Sequence, residues 1–361
     1  MELLLNDEQR LLQESVAKLL AQAGGLKRTR ALRGKGDGFD PAVHARMGAQ
    51  GWFGLLVPEG KGGLGLGLTE LALVQMEAGR ALAPEPIGAT AAVASVLADG
   101  EASEAASQLL ARVVAGDAVV LPAIDGSEQA QQPAAGLRAR GGAREIRLDG
   151  VCDGVACASE CEGFLAGVNT GASALLAYVP RDTKGLVIDS RATVDGRPFA
   201  RLTFDGVAAH RVVVGPHRGA AAQRQLYDLL LFTAAAELVG VMSAALDMTV
   251  EYLKTRKQFG KPIGSFQALQ HRAVDDFAKI VSARSFLFQV ASQGSLSSAM
   301  ASALKAHCGG MALEVTKSAI QMHGAIGFTD EHDIGLYLKR AMWLSVWLGN
   351  EAQHRTRYAA F

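Results

Sequence analysis

Two segments with apolar residues at helical spacing are joined by Thr255-Arg256-Lys257-Gln258-Phe259-Gly260-Lys261-Pro262-Ile263-Gly264-Ser265-Phe266-Gln267-Ala268-Leu269-Gln270. The first segment runs from about Leu226 to Arg256, and the second from about Phe266 to Gln293. Glycine and proline interrupt the helical pattern between them, because proline lacks a backbone donor and glycine loses conformational entropy in a helix. The sequence therefore predicts two long helices joined by a short turn.

Arg256 falls at the C-terminal end of the first predicted helix, where a cation suits the helix dipole. Its guanidinium group would be free to bind an anion beyond that end, and a diphosphate is a natural partner. The pattern Arg-x-Gln-Phe-Gly-x-Pro-Ile-Gly-x-Phe-Gln-x-x-Gln resembles the signature of the acyl-CoA dehydrogenase superfamily. The resemblance extends over most of the chain.

The bulk composition is that of an ordinary globular protein. The chain has 361 residues, of which 49% are hydrophobic and 20% are charged, and its formal net charge is zero. This length suggests about two or three domains, and the balanced charge gives no reason to expect nucleic acid or an anionic membrane as a partner. No signal peptide is recognised, and the apolar run Leu229 to Val250 carries Glu237 and Asp247, as a buried bundle helix would. A cytoplasmic location is expected.

The four cysteines are Cys152, Cys157, Cys161 and Cys308. The first three cluster at spacings that resemble an iron–sulfur loop loosely but match no standard pattern. Reduced thiols and no metal site are therefore expected.

The order of predicted elements is helices, then strands, then helices again. The predicted fold class is α+β and mainly α, with an N-terminal helical domain over residues 1–117, a middle antiparallel β-barrel or sandwich over 118–216, and a C-terminal four-helix bundle over 217–361. Helices are predicted at Leu5–Ala21, Pro41–Gln50, Thr69–Arg80, Thr90–Ala98, Glu104–Ala115, Ser298–Met322 and Asp333–Leu348. Strands are predicted at Ala118–Ala123, Gly136–Arg140, Ala143–Leu148, Phe164–Asn169, Ala174–Tyr178, Gly185–Asp189, Phe199–Phe204 and Arg211–Val214.

A glycine-rich loop runs from Gly51 to Gly67. It lacks the Gly-Lys-Ser/Thr ending of a P-loop and the strand–helix setting of a dinucleotide fingerprint, so a tight surface loop is predicted. The segment resembles a loop in the N-terminal domain of the same superfamily.

The superfamily resemblance implies FAD as the cofactor and an acyl-CoA thioester as the substrate. In that family, one subunit clamps the ADP end of its neighbour's FAD across a dimer interface. The resemblance assigns this clamp to Arg256, Gln258, Phe259, Phe266 and Gln267, together with Gln321 and Gly324. Ala325 stands where the family usually has a second glycine, and His323 is left open between ligand contact and packing.

The resemblance also implies that the platform for the flavin ring is degraded. The family's Thr-Glu-Pro-Gly-Ala-Gly-Ser-Asp loop corresponds to Pro122-Ala123-Ile124-Asp125-Gly126-Ser127-Glu128, where only the Gly-Ser-acid ending survives. The family's Trp-Ile-Thr falls near Val155-Ala156-Cys157-Ala158, which offers neither an aromatic ring nor a threonine hydroxyl. Hydrogen bonds to the ring would be lost.

The catalytic carboxylate is missing from both positions that the family uses. Leu348 stands at one position and Leu230 at the other, and leucine cannot accept a proton. Glu237 lies about two helical turns, or roughly 10 Å, beyond Leu230 on the same face. It is either a displaced base, since apolar surroundings suit one, or a core glutamate that holds a backbone group or a basic partner. Asp228 lies off that face.

Three hypotheses follow. In the first, the chain is the base-lacking subunit of a heteromeric α2β2 acyl-CoA dehydrogenase that acts on bulky lipid or steroid acyl-CoA esters and completes the FAD site of a catalytic α subunit. In the second, it is a self-sufficient homo-oligomer with Glu237 as base. In the third, it is a flavin-free scaffold. An electron-transfer flavoprotein is the electron acceptor that the resemblance implies.

Overall fold

The computed structural model describes residues 5–33, 38–100, 104–124, 137–140, 146–156, 160–171, 173–209 and 211–361. Helices come first, a β-sheet follows, and helices return, which confirms the predicted fold class. The domain boundaries at residues 117 and 216 stay predictions. The segments 125–136, 141–145 and 157–159 lie outside the described residues, so the predicted strand ends at Gly136 and Ala143 cannot be compared.

The N-terminal part contains six helices in the described residues: α1 (Asp7–Gln22), α2 (Gly25–Leu32), α3 (Pro41–Ala49), α4 (Leu68–Ala81), α5 (Ile87–Ala98) and α6 (Glu104–Ala115). Capping side chains explain where two of these helices begin. Asn6 and Gln9 form a capping box at α1, and the Asp40 side chain accepts from the backbone of Ala42 at α3, which has proline at its first position.

Helix α2 has no counterpart in the sequence prediction. Its eight residues are too few for an apolar pattern to stand out in the sequence, and none of them is fully buried. Ion pairs from distant parts of the chain hold it instead: Arg28 binds Glu85, and Arg30 binds Asp333 at 2.5 Å. A helix fixed by tertiary contacts gives little local signal.

The middle part is one eight-stranded sheet: β1 (Val120–Ala123), β2 (Leu137–Arg140), β3 (Arg147–Ala156), β4 (Gly163–Asn169), β5 (Ala174–Pro180), β6 (Leu186–Ala192), β7 (Pro198–Ala208) and β8 (Arg211–Val214). The strands lie in the order β6-β7-β3-β2-β4-β5-β8, and β1 pairs with β4. Both β1 and β2 run parallel to β4. The sheet is therefore mixed, whereas the sequence analysis predicted an antiparallel one, because hydrophobic alternation does not encode the direction of a neighbouring strand.

The C-terminal part contains α7 (Gly219–Thr255), α8 (Gln267–Ala291), α9 (Ser298–His323), α10 (Ile334–Val346) and α11 (Glu351–Ala359). Helix α7 is long and apolar enough to cross a membrane by composition alone, but 89% of its most apolar window is buried inside the protein. It is the central core helix, and it packs against helices from both ends of the chain.

Helices α4 and α7 cross with their backbones in contact. A Cβ atom built on Gly240 would lie 1.9 Å from the carbonyl oxygen of Met76, and one on Gly79 would lie 2.2 Å from the carbonyl oxygen of Glu237. Each helix thus supplies a glycine where the other helix comes closest. This contact fixes the N-terminal helices against the residue that the sequence singled out as a possible base.

Replacing Gly240 by alanine should therefore destabilise the protein. The added methyl group has to push the two helices apart, and overpacking of this kind typically costs about 1–3 kcal/mol. We expect the thermal unfolding midpoint to fall by roughly 2–10 °C. Gly60→Ala is the matched control, because no atom lies within 4 Å of a Cβ built there. Equal midpoints for the two variants would contradict the close contact.

Candidate functional site

The predicted clamp begins where α7 ends. Arg256 leaves the helix in an extended conformation, and its carbonyl oxygen accepts a 2.8 Å hydrogen bond from the backbone N–H of Ile263. Between these residues, β9 (Lys257–Gln258) pairs antiparallel with β10 (Lys261–Pro262). The sequence prediction of a turn is correct, and the turn is a small β-hairpin.

Phe259 occupies the tip of this hairpin. Its φ angle is 54° and that of Gly260 is 80°, and two positive φ angles are what a tight two-residue hairpin turn requires. Phenylalanine in the left-handed region is strained by about 1–3 kcal/mol, and its side chain is 90% exposed. A strained aromatic residue with so little burial is typical of a functional contact.

The ring of Phe266 packs against Phe259 at the tip of the hairpin. The Phe259 and Phe266 rings meet edge to face with centroids 6.0 Å apart, and the Lys261 ammonium lies 4.4 Å from the Phe266 centroid. Phe266 also precedes the first residue of α8, Gln267, which is exposed. Cation–π and edge-to-face contacts of this kind each contribute about 0.5–1.5 kcal/mol, so the hairpin is held in shape.

The second half of the predicted clamp lies at the C-terminal end of α9. Gln321 is exposed, and Gly324 caps the helix with a φ angle of 64°, a conformation that favours glycine. The His323 ring stacks on Tyr252 of α7 at 4.5 Å. Since Arg256 lies one helical turn beyond Tyr252, this contact brings both halves of the clamp to the same end of the bundle.

His323 itself is buried. Its Nδ1 lies 2.8 Å from the carbonyl oxygen of Ala319, and its Nε2 has no hydrogen-bond partner among the described residues. Burial lowers the pKa of the ring, so it is neutral at pH 7. The geometry favours packing for His323, since its unpaired Nε2 is itself buried.

Glu237 does not stand free in an apolar core. One of its carboxylate oxygens lies 2.5 Å from Arg340 of α10, and Arg197 approaches the same oxygen at 3.9 Å. Arg340 also binds Asp195 at 2.7 Å and donates to the carbonyl oxygens of Leu82 and Ala83. Glu237 thus has a basic partner, as the second of the two interpretations expects, and its role as a base stays a prediction.

The two arginines of this cluster lower the pKa of Asp195. Burial raises the pKa of the carboxyl group, but Arg197 and Arg340 lower it by more and hold it well below its usual range. Asp195 lies in the turn between β6 and β7, and Arg340 is only 1% exposed. The cluster therefore joins the sheet to the C-terminal helices and to the end of α4.

Aromatic residues close the rest of the cleft between the sheet and the helices. The Trp347 indole donates a 2.9 Å hydrogen bond to the carbonyl oxygen of Gly154 in β3. Phe199 of β7 packs edge to face on Trp343 at 4.8 Å. The cavity that remains beside Glu237 and Trp347 has a volume of about 40 Å³. That is room for a few water molecules, whereas small-molecule sites typically measure about 300–1,000 Å³.

The two positions that the resemblance assigns to the family's base are buried and apolar. Leu348 is 3% exposed, with a φ angle of 60°, and Leu230 is 1% exposed in α7. The carbonyl oxygen of Leu348 accepts from the Tyr227 hydroxyl at 2.7 Å and lies 2.9 Å from Nε2 of His354. The backbone of this loop is therefore held firmly, but no proton acceptor projects from it.

Lys305 also supports this loop from inside α9. It donates to the carbonyl oxygens of Ser345 and Gly349 at 3.1 and 2.9 Å, and its complete burial lowers the pKa of its amine to about 7. Sequence reasoning missed Lys305, Arg340 and Asp195. For Lys305 and Arg340 the only signal was a charged residue inside an apolar helical segment, which does not reveal its partner. Asp195 lies in a turn, where an aspartate is ordinary and gives no signal.

Several predicted features cannot be compared with the structure. Asp125-Gly126-Ser127-Glu128 and Cys157-Ala158, which belong to the degraded flavin platform, lie outside the described residues. Cys152, Cys161 and Cys308 are buried. Asp228 pairs with Arg357 at 3.1 Å, in agreement with a structural role.

Replacing Arg340 by methionine should destabilise the protein strongly. Asp195 and Glu237 would lose their shared guanidinium group, and breaking a buried ion pair in this way costs about 3–5 kcal/mol. Because the pKa of Asp195 is lower in the folded protein, its ionised form stabilises the fold above about pH 4 and this contribution is lost as the pH falls further. The acid-induced loss should be smaller in Arg340→Met, as thermal unfolding between pH 3 and pH 7 would measure.

Arg191→Met provides the control for that experiment. Arg191 is paired with Asp189 on β6, but its side chain is 75% exposed, and such surface pairs contribute about 0–1 kcal/mol. The cluster would have no structural importance if both methionine variants melted like the unmodified protein.

Two family models match the chain. The family model described as "Acyl-CoA dehydrogenase, N-terminal domain" matches residues 6–117, and "Acyl-CoA dehydrogenase, C-terminal domain" matches residues 218–361. The chain is 31% identical over 359 residues to acyl-CoA dehydrogenase IpdE2 of Mycolicibacterium smegmatis (strain ATCC 700084 / mc(2)155), and the match covers 99% of both proteins.

Two solved structures are similar over nearly the whole chain. The Tcur3481-Tcur3483 steroid ACAD G363A variant matches with a TM-score of 0.90 and 28% identity, covering 98% of this chain and 97% of the other. The ChsE4-ChsE5 complex from Mycobacterium tuberculosis matches with a TM-score of 0.89 and 25% identity, covering 100% and 98%. These matches confirm the resemblance found in the sequence, and with it FAD as the family's cofactor: the chain belongs to the acyl-CoA dehydrogenase family.

Proposed function

We propose that this chain is the base-lacking subunit of a heteromeric acyl-CoA dehydrogenase. In this proposal it lends its hairpin and the end of α9 to the FAD of a catalytic α subunit, and the assembly is α2β2. The substrate is an acyl-CoA ester that the complex oxidises between its α and β carbons. FAD, when bound, accepts the hydride in that reaction.

The closed cleft is the observation that carries the proposal. A flavin ring and an acyl chain need far more space than the 40 Å³ left beside Glu237 and Trp347. The residues that fill the cleft are bound to one another across the sheet and the helices, through Trp347 to Gly154 and Arg340 to Asp195. The space beside Glu237 and Trp347, as the described residues bound it, therefore favours a flavin ring that is seated in the partner subunit.

The opposite end of the bundle fits the ADP part of FAD. Arg256 offers a cation for the diphosphate, and Phe259 offers an exposed ring for the adenine. Gln258, Gln267 and Gln321 supply exposed amide groups for hydrogen bonds. Since all of these groups are exposed, they are accessible to a nucleotide that is seated mainly in a neighbouring subunit.

The similar structures support a heteromeric assembly. Both are named for pairs of proteins, Tcur3481-Tcur3483 and ChsE4-ChsE5, and the first is described as a steroid ACAD. By analogy we assign this chain a bulky lipid or steroid acyl-CoA as its substrate class. An electron-transfer flavoprotein as electron acceptor and a cytoplasmic location complete the proposal.

The two alternatives have weaker support. A self-sufficient enzyme would need Glu237 to leave Arg340 before it could accept a proton, and it would need a wider cleft. A flavin-free scaffold would not require Phe259 to be held in a strained conformation. Membership of an enzyme family also favours a catalytic assembly over a scaffold.

Purification of the chain with and without its catalytic subunit tests the proposal. We expect the chain alone to carry no stoichiometric FAD and to show no turnover, and the complex to be yellow and active. Arg256→Ala in this chain should weaken FAD binding to the complex by about 10- to 100-fold, because a charge-assisted contact to phosphate is lost. Fluorescence titration of the apo-complex with FAD measures this change.

Arg191→Ala serves as the control, since Arg191 is an exposed arginine on β6, remote in sequence from the clamp. It should leave the FAD dissociation constant unchanged. FAD bound at one equivalent by the solitary chain, with turnover of an acyl-CoA, would overturn the proposal.

Glu237→Gln in the complex separates the proposal from its first alternative. We expect exchange of the substrate's α proton to continue at the unmodified rate, because the base belongs to the partner subunit. The thermal midpoint should fall, since the charge of Arg340 is then balanced by Asp195 alone. Abolished exchange with FAD still bound would identify Glu237 as the base.

A further inference from the structure

The segment 324–333 joins the end of α9 to the start of α10, and its two ends meet through their rings. The ring centroids of His323 and His332 lie 4.6 Å apart, and the His332 ring lies 6.1 Å from that of Tyr252. Nδ1 of His332 accepts a 3.1 Å hydrogen bond from the backbone N–H of Ile334. His332 therefore packs on the stacked pair that joins the two halves of the predicted clamp.

This segment is acidic where it approaches α10. Asp330, Glu331 and Asp333 fall within four residues, and like charges so close together repel one another. The Tyr252 carbonyl oxygen accepts a 2.8 Å hydrogen bond from the backbone N–H of Arg256, so the segment also lies near the proposed diphosphate site. Carboxylates without a cationic partner would oppose an anion bound there.

Cations from α2 bind this acidic segment, although the two are 303 residues apart in the chain. All three nitrogen atoms of the Arg30 guanidinium group take part. Nε binds the Asp333 carboxylate at 2.5 Å, and the terminal nitrogens donate to the carbonyl oxygens of Asp330 and Glu331 at 2.7 and 3.4 Å. Arg33 donates to the Asp330 carboxylate at 2.8 Å. A planar guanidinium group can hold a carboxylate and two carbonyl oxygens at once, whereas an ammonium group lacks this fork.

Helix α2 is itself fixed on its other side. Arg28 donates through both terminal nitrogens to the buried carboxylate of Glu85. The Thr29 hydroxyl donates to the carbonyl oxygen of Leu82 at 3.1 Å, and the same oxygen accepts from Arg340 in the ion cluster beside the closed cleft. The helix is therefore a fixed support for the arginine that binds the acidic segment.

We propose that Arg30 is a positioning residue for the nucleotide clamp. It holds segment 330–333 so that His332 stays against His323, and it neutralises Asp333 near the diphosphate site. The inference rests on the proposed function, because it concerns the FAD that the clamp binds for the catalytic subunit. It goes beyond that function, since it makes the affinity for FAD depend on a helix of the N-terminal part that carries none of the clamp residues.

Hydrogen exchange of the chain alone tests the positioning without any cofactor. Arg30→Met removes the three contacts, and we expect backbone amides in 324–334 to exchange at least about threefold faster, because local opening becomes easier. Asp330 keeps Arg33 and Lys339 as partners in this variant, so the change reports on Arg30 itself. Exchange that stays unchanged in this segment, or that rises equally throughout the protein, would overturn the inference.

FAD titration of the complex tests the consequence for the clamp. We expect Arg30→Met to raise the FAD dissociation constant by about 3- to 10-fold and to leave kcat at saturating FAD unchanged, because the chemistry belongs to the partner subunit. Arg30→Lys keeps the charge but loses the planar fork, so its dissociation constant should lie between those of the unmodified complex and Arg30→Met. A lysine variant as weak as the methionine variant would contradict the charge part of the inference.

Arg10→Met is the matched control. Arg10 binds Asp7 at 3.4 Å on α1 with a half-exposed side chain, and the variant should change neither the exchange of 324–334 nor the affinity for FAD. Arg256→Ala separates the two proposals. If it weakens FAD binding while Arg30→Met does not, the inference alone fails. If Arg256→Ala leaves FAD binding unchanged, the proposed function fails.

Discussion

The ion cluster around Arg340 sets the width of the cleft between the sheet and the helices. Its guanidinium group binds Asp195 from the sheet and Glu237 from α7, and it donates to two carbonyl oxygens beyond the end of α4. A charge buried this deeply is tolerated only when it is fully paired, since removing an ion from water costs several kcal/mol. The three parts of the chain are therefore held at a fixed separation, and the cleft between them stays closed. The proposed division of labour between two subunits follows from that closure.

The predicted clamp, in contrast, holds one residue in an unfavourable conformation. The hairpin after α7 keeps Phe259 in the left-handed region and in solvent, which is unfavourable for the isolated chain. Lys261 and Phe266 hold it there, and Tyr252 with His323 fixes the two halves of the site to each other. Strain persists only where surrounding contacts impose it. A protein that closes its own cleft and holds an aromatic ring outward is better suited to a neighbour's ligand than to one of its own.

Local sequence signals predicted most of the helical framework. Helix α6 matches its predicted bounds, and α3, α4 and α9 differ from theirs by about one residue at either end, because caps and apolar periodicity act within one turn. The sequence also located the clamp hairpin from its glycines and proline. It could not reveal α2, which distant ion pairs hold, nor the parallel pairing of β1 and β2 with β4. Glu237 was recognised as unusual, but its partner Arg340 lies far along the chain, and spacing carries no information about such a pair.

The backbone of the loop around Leu348 is held independently of the side chain at that position. Tyr227, His354 and Lys305 bind the carbonyl oxygens of this loop, and none of these contacts involves the side chain at position 348. A leucine there removes the proton acceptor without disturbing the cage that shapes the backbone. The cage still has a structural consequence, because it positions the neighbouring Trp347 to reach Gly154 of the sheet. The small space beside Trp347 is therefore consistent with the proposed absence of a base at position 348.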